Sequence, residues 1–268
     1  MANIAVAIRS PDTVCRVIAD AISIFPVRGL PEIEPGSDLA SMILEASEHS
    51  GRRVADGDVV IVTSKIVSKS EGATIELDDV EPSEFSVSWG LQWEKDPRLV
   101  EIVLRESRRV VRQIGPVLIT ETHHGFVCAN SGVDQSSSGA HGRIVVLPKD
   151  PDASARHIRS SFATHGVDVA VVISDTFGRP WREGQTDVCV GLAGINPIRS
   201  YIGEVDPHGH EFKVQEICVV DEIAAAAELV KGNTSRIPVA VLSGLQFEAS
   251  DSATMAPVLR DSSRDLFR

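Results

Sequence analysis

From Val167 the chain runs through "VDVAVVISD", a segment apolar at nearly every position up to Ile173. A strand with one wetted face alternates polar and apolar residues, whereas a strand apolar on both sides needs cover on both sides. The segment therefore reads as an interior strand, and the rest of the chain must supply the strands and helices that bury it. It surfaces on Asp175 and Thr176, and "FGRPWREGQTD" follows. Gly178 and Pro180 are expected to turn the chain away there, with Trp181 anchoring an exit loop. A rigid element that delivers a carboxylate to its mouth suits binding or catalysis. The plainer alternative is a capped turn with a half-buried Trp181 and a surface ion pair.

Apolar periodicity supplies the neighbours. "SDLASMILEASEHSG" has helical spacing, with Ser37 or Asp38 as cap and Leu39, Met42, Ile43 and Ala46 as a stripe. "DPRLVEIVLRESRRVVRQ" reads as one long helix from Asp96, with Pro97 at its first position and Leu99, Ile102, Val103 and Val110 towards one side. "DPDASARHIRSSFATHG", stopped by Gly166, and "DEIAAAAELVKG", stopped by Gly232, are two more helices. "GDVVIVTSK", "GPVLITET", "GRIVVLP", "EICVV" and "IPVAVL" read as strands. Strand pairs mix with helices rather than alternating with them, so the expected class is α+β with mixed sheets. The 268 residues suit a single domain over 1–268, built as two intimate lobes. Neither "EPGSD" nor "EASDSATMAP" is long enough for a domain linker.

The formal net charge is -12, which disfavours a nucleic-acid partner. An acidic chain that binds an anion must concentrate its cations, use helix N-termini or hold metal ions. No apolar run approaches the ~18 residues of a membrane span, and "MANIAVAIRSPD" lacks the pattern of a signal peptide. A cytoplasmic protein without a membrane partner is expected. Cys15, Cys128, Cys189 and Cys218 form no C-x-x-C pair, so neither a zinc site nor a disulfide framework is expected. His123, His124, His208 and His210 lack partners at zinc spacing, and no dinucleotide glycine motif or nucleophile elbow occurs.

Four polar clusters fall at predicted strand ends. In "SDTFGRPWREGQTD", Asp175 and Thr176 suit a hard divalent cation, while Arg179 and Arg182 suit phosphate or carboxylate. In "CANSGVDQSSSGAHG", Asp134 stands among small residues whose backbone N–H groups can cradle anions; a polar turn is the alternative. In "VVIVTSKIVSKSEG", Ser64, Lys65 and Lys69 follow a strand, and the lysines share a face if the segment is helical. Solvated lysines are the alternative, and the P-loop pattern is absent. In "LVKGNTSRIPVAVLSG", Lys231, Asn233 and Thr234 flank a turn that suits a nucleotide or simply joins helix to strand.

In this order and spacing the clusters resemble the coenzyme F-420 gamma-glutamyl ligases, along essentially the whole chain. "GLPEIEPGSDLA", "KDPRLVEIVLRESRRVVR", "HGFVCANSGVD" and "SDTFGRPWREGQTDVCVGLAG" carry much of the resemblance. It implies GTP-dependent addition of L-glutamate to the lactyl carboxylate of a deazaflavin precursor through an acyl phosphate. It implies two divalent ions, Mg²⁺ or Mn²⁺, together with K⁺, and a homodimer. Asp134 and Asp175 match the carboxylates of one metal, and Thr176 matches a ligand of the second, with Asn233 beside it. Leu30, Pro31, Glu32 and Ile33 match a segment that touches GTP, as do Ser64, Lys65, Lys69, Ser137, Lys231, Gly232, Asn233 and Thr234. Asp175, Lys69 and Arg182 are the catalytic candidates, Arg182 from its charge rather than from the family. Ser137, Asn233 and Ser243 depart from the residues usual in the family. The alternatives are a paralogous amide ligase with a different amino acid or acid, or a non-catalytic nucleotide- or deazaflavin-binding module.

Overall fold

The computed structural model describes residues 21–134 and 142–265. Strand β1 (Ser23–Val27) leads to helix α1 (Leu39–His49), where the Asp38 carboxylate accepts from the N–H groups of Ala40 and Ser41 and so fixes the start. Strand β2 (Val59–Thr63) passes directly into the short helix α2 (Ser64–Ser70), and β3 (Thr74–Glu76) follows. Helices α3 (Glu84–Trp93) and α4 (Pro97–Arg105) pack together before the meander β4 (Ser107–Ile114), β5 (Val117–Thr122) and β6 (Val127–Ala129). After β7 (Arg143–Val145) and α5 (Pro151–Thr164) comes a long hairpin of β8 (Ala170–Arg179) and β9 (Arg182–Ala193). Strands β10 (Ile198–Ser200) and β11 (Glu216–Cys218), helix α6 (Val219–Lys231) and β12 (Val239–Ser243) complete the main elements.

The central sheet has the order β1-β12-β2-β8-β9. Only the β2–β8 pairing is parallel, so the sheet is mixed and the class is α+β, as expected. β8 lies between β2 and β9, and Val171, Val172 and Ile173 are wholly buried, which is what their apolar run requires. Ile158 and Phe162 of α5 and Val220, Ile223, Ala224 and Ala227 of α6 close over the same core. Among the described residues two smaller clusters sit beside it. One joins Ile102 to Leu77 and Ile144, the other joins Trp89 and Val103 to Leu118.

The expected long helix from Asp96 is shorter than its apolar spacing suggested. It ends at Arg105, where Ser107 Oγ donates to the Val103 carbonyl at 2.5 Å and closes the last turn. The β-branched stretch beyond it pairs with β5 instead, and Val110 is 44% exposed rather than part of a buried stripe. "EICVV" splits similarly, since Val219 and Val220 already belong to α6.

The larger correction concerns β8. It does not leave the sheet at Asp175 but runs on to Arg179, which pairs with Arg182 across a turn of Pro180 and Trp181. Trp181 is 78% exposed with φ 57°, so it sits at a hairpin tip rather than half-buried in an exit loop. Gly178 lies within the strand. These residues end a ladder at its tip, where a missing N–H costs no pairing.

Candidate active site

β2 and β8 are parallel neighbours in register from Val59 with Ala170 to Thr63 with Ser174, so their C-terminal ends open at the same edge of the sheet. α2 begins at Ser64 on one strand end, and Asp175 and Thr176 lie on the other. The carboxyl ends of adjacent parallel strands are a natural place for a ligand site. Side chains alternate along a strand. Ser174 and Thr176 point to one face, where both reach Asp187 of β9. Asp175 points to the other, towards the turn that contains Gly132.

That turn is held by hydroxyls. Ser131, buried in a left-handed conformation, shares hydrogen bonds of 2.7 Å with Ser107 Oγ and with Thr120 Oγ1, and its N–H donates to Thr120 Oγ1. Gly132 lies so close to Leu147 and Asp175 that a methyl group there would come 3.1 Å from Leu147 and 3.4 Å from Asp175 Oδ2. Two residues on, Asp134 exchanges backbone hydrogen bonds with Val145, and its Oδ2 meets Lys65 Nζ at 2.7 Å. One turn of α2 further, Lys69 forms an ion pair with Glu32. The structure thus brings together Asp134, Lys65 and Asp175, and links Lys69 to the segment of Leu30, Pro31, Glu32 and Ile33. Of those four, Ile33 is buried and Pro31 and Glu32 are exposed. Ser64 is buried at the start of α2.

Asp175 lies deep while keeping part of its surface open. Burial pushes its pKa up to about 7. The Thr176 N–H, which donates to Asp175 Oδ1 at 2.9 Å, pulls the other way, Asp187 and Asp134 add repulsion, and Lys65 offsets some of it. The carboxylate is therefore short of positive charge. Its donor chemistry fits a hard divalent cation, with carboxylate oxygens from Asp134 and Asp175, while the Thr176 hydroxyl, on the other face of β8, could serve only a separate ion. Among the described residues no group of three His, Cys, Asp or Glu forms a metal cluster. A cation here would complete its shell from ligand oxygens and water.

Other candidates lie elsewhere. Lys231 is buried against Asp187 rather than projecting from its turn, while Gly232, Asn233 and Thr234 are exposed just beyond it. Arg182 is at the hairpin tip, opposite Arg179. Ser137 lies outside the described residues, as does Cys15. Cys128, Cys189 and Cys218 are free thiols; burial pushes the first and last up to about 12, which makes them poor nucleophiles. Among the described residues no helix is long and apolar enough to cross a membrane. Asp187 was not singled out from sequence. Reading "SDTFGRPWREGQTD" as a hairpin would have found it, because that pairing sets Asp187 opposite Thr176.

Comparison with known proteins covers the same strand ends and turns. The family profile described as F420-0:Gamma-glutamyl ligase matches residues 29–244. Coenzyme F420:L-glutamate ligase of Methanothermobacter thermautotrophicus is 39% identical over 92% of this chain and 99% of its own length. The protein of the same name from Methanopyrus kandleri is 41% identical over 92% and 98%, and that of Halobacterium salinarum is 39% identical over 91% of each chain. With the family profile matched over residues 29–244 and relatives 39% and 41% identical over 92% of the chain, the chain belongs to the F420-0:gamma-glutamyl ligase family.

Proposed function

We propose that this protein is a GTP- and divalent-metal-dependent ligase that joins L-glutamate to the lactyl carboxylate of a deazaflavin coenzyme precursor. The observation that carries this reading is the meeting of Asp175, Asp134 and Lys65 at the shared end of β2 and β8. The names of the relatives, coenzyme F420:L-glutamate ligase, give the amino acid and the coenzyme.

An amide does not form from a free carboxylate and an amine without activation. In this reading the acceptor carboxylate attacks the γ-phosphorus of GTP, GDP leaves, and an acyl phosphate results. The glutamate amine then attacks the acyl carbon, loses a proton and expels phosphate. Lys65 and Lys69 of α2 provide fixed positive charge for the nucleotide phosphates, where charge builds up in the transition state. The exposed turn of Gly232, Asn233 and Thr234 and the segment Leu30 to Ile33 border the nucleotide. Mg²⁺ or Mn²⁺ held by Asp134 and Asp175, with a second ion at Thr176 and Asn233, would offset phosphate charge and polarise the transferred group. K⁺ and a homodimeric active form belong to the same proposal.

The test is mass spectrometric. Purified protein, the non-glutamylated deazaflavin precursor, GTP, L-glutamate and Mn²⁺ should yield product heavier by one or more glutamyl units. Omitting GTP or metal should abolish it. A product that forms equally well without GTP, or none with every component present, overturns the proposal.

A further inference from the structure

Behind Thr176 lies a charge pair with no direct part in that chemistry. Asp187 Oδ2 and Lys231 Nζ are 2.7 Å apart, with side chains 3% and 1% exposed. Ser174 Oγ donates to Asp187 Oδ2 at 3.0 Å and accepts from Lys231 Nζ at 2.7 Å. Thr176 Oγ1 donates to the other oxygen, Asp187 Oδ1, at 2.6 Å. Taking two charges out of water is costly, and well-packed apolar residues of similar volume often give equal or greater stability. A buried pair is therefore a poor argument for stability and invites a second reason.

The geometry supplies one. Lys231 and Ser174 fix Asp187, and Asp187 takes the Thr176 hydroxyl proton into the interior. A hydroxyl has one proton and two lone pairs. With its proton committed inward, the partly exposed Thr176 oxygen can only accept from whatever meets it outside. An oxygen so restricted suits a hard cation. It cannot turn to donate to a phosphate.

We propose that Asp187 and Lys231 are positioning residues that hold the Thr176 hydroxyl as an acceptor-only ligand for a divalent cation, on the opposite face of β8 from Asp175. The inference rests on the proposed metal dependence, and its test is kept separate from turnover.

The experiment titrates Mn²⁺ into the purified full chain, followed by electron paramagnetic resonance and calorimetry. The variants are the double substitution Asp187→Leu with Lys231→Met, which removes both charges together, and Thr176→Val, which leaves the ion pair in place. Both should melt within a few degrees of wild type and lose at least about tenfold in affinity for one class of Mn²⁺ site, as expected for a charge-assisted contact. Combining all three substitutions should add little, because the pair acts through Thr176. Unchanged Mn²⁺ binding in a folded double variant, or in Thr176→Val, overturns the proposal, as does a wild-type protein that binds no Mn²⁺. Normal Mn²⁺ binding by a wild type that makes no glutamyl product would sink the proposed function and leave this inference standing.

Discussion

The ammonium of Lys65 sits 2.7 Å from the carboxylate of Asp134, linking the first turn of α2 to the turn held by Ser131. The two residues belong to segments nearly seventy positions apart, and the ion pair joins them. Lys65 also faces Asp175 electrostatically, where its charge favours the ionised carboxylate. In the proposed reaction the same lysine also serves the nucleotide. Lys65→Met should weaken GTP binding about tenfold or more, in line with loss of a charge-assisted hydrogen bond. It should strengthen Mn²⁺ binding, because Asp134 loses its internal counter-charge. Calorimetric titration of each ligand separates the two effects. Losing both affinities together would reduce Lys65 to a structural strut.

Asp175 has the opposite balance. Its charge is disfavoured by burial and by the neighbouring carboxylates. Asp175→Ala should therefore cost the metal-free protein little or no stability, while turnover falls by at least about a hundredfold if the carboxylate holds a cation at the transferred phosphoryl group. Circular dichroism and thermal melting check the first expectation and the glutamylation assay the second. Full turnover in the variant would remove Asp175 from the chemistry.

How far the sequence could lead depends on which residues carried the signal. Val171, Val172 and Ile173 announced an interior strand because only burial on both faces suits such a run, and Asp38 and Asp96 marked helix starts through their capping chemistry. Asp134, Lys65 and Asp175 were legible as separate motifs. Their meeting depends on the parallel pairing of β2 with β8, which local periodicity does not encode. Helical spacing continues beyond Arg105 because a stretch rich in arginine and valine fits either period, and the Ser107 bond to Val103 decides the matter. Gly178 and Pro180 suggest an exit loop, yet such residues break a structure only where the ladder needs them. Lys231 looked like a surface ligand because its burial depends on Asp187, forty-four residues earlier.

Acid stability should depend on Glu101. Its Oε2 accepts from Ser83 N–H at 3.0 Å, Ser83 Oγ at 2.7 Å and Ser86 Oγ at 2.8 Å, and its Oε1 accepts from Arg105 Nε at 3.0 Å. Led by the Ser83 N–H, these donors hold its pKa down to about 2, against 4.5 for an ordinary glutamate. A carboxylate depressed on folding stabilises the protein fully above its unfolded pKa and loses that contribution as pH falls through its folded pKa. Stability tied to Glu101 should therefore be complete above about pH 5 and decline towards pH 2. Glu101→Gln should lower the melting temperature at pH 7 and flatten its fall with acid. Equal losses at pH 7 and pH 2.5 would show that the bonds matter only for shape.

Arg182 stands at the tip of the β8–β9 hairpin. Its partner Arg179 lies four positions beyond Asp175 on β8, about 13 Å away at the rise of an extended strand. At that backbone separation the Arg182 guanidinium stands towards the rim of a site centred on Asp175. It can meet a remote anionic group of an extended acceptor bound along the hairpin. Uniform binding of that kind appears in KM and leaves the chemical step alone. Arg182→Glu should raise KM for the deazaflavin precursor about tenfold or more, with kcat within about twofold and KM for GTP unchanged. A matching fall in kcat with KM unaltered would mean that the guanidinium acts on the transferred group itself. No change in any parameter would leave Arg182 a solvated residue at an exposed turn.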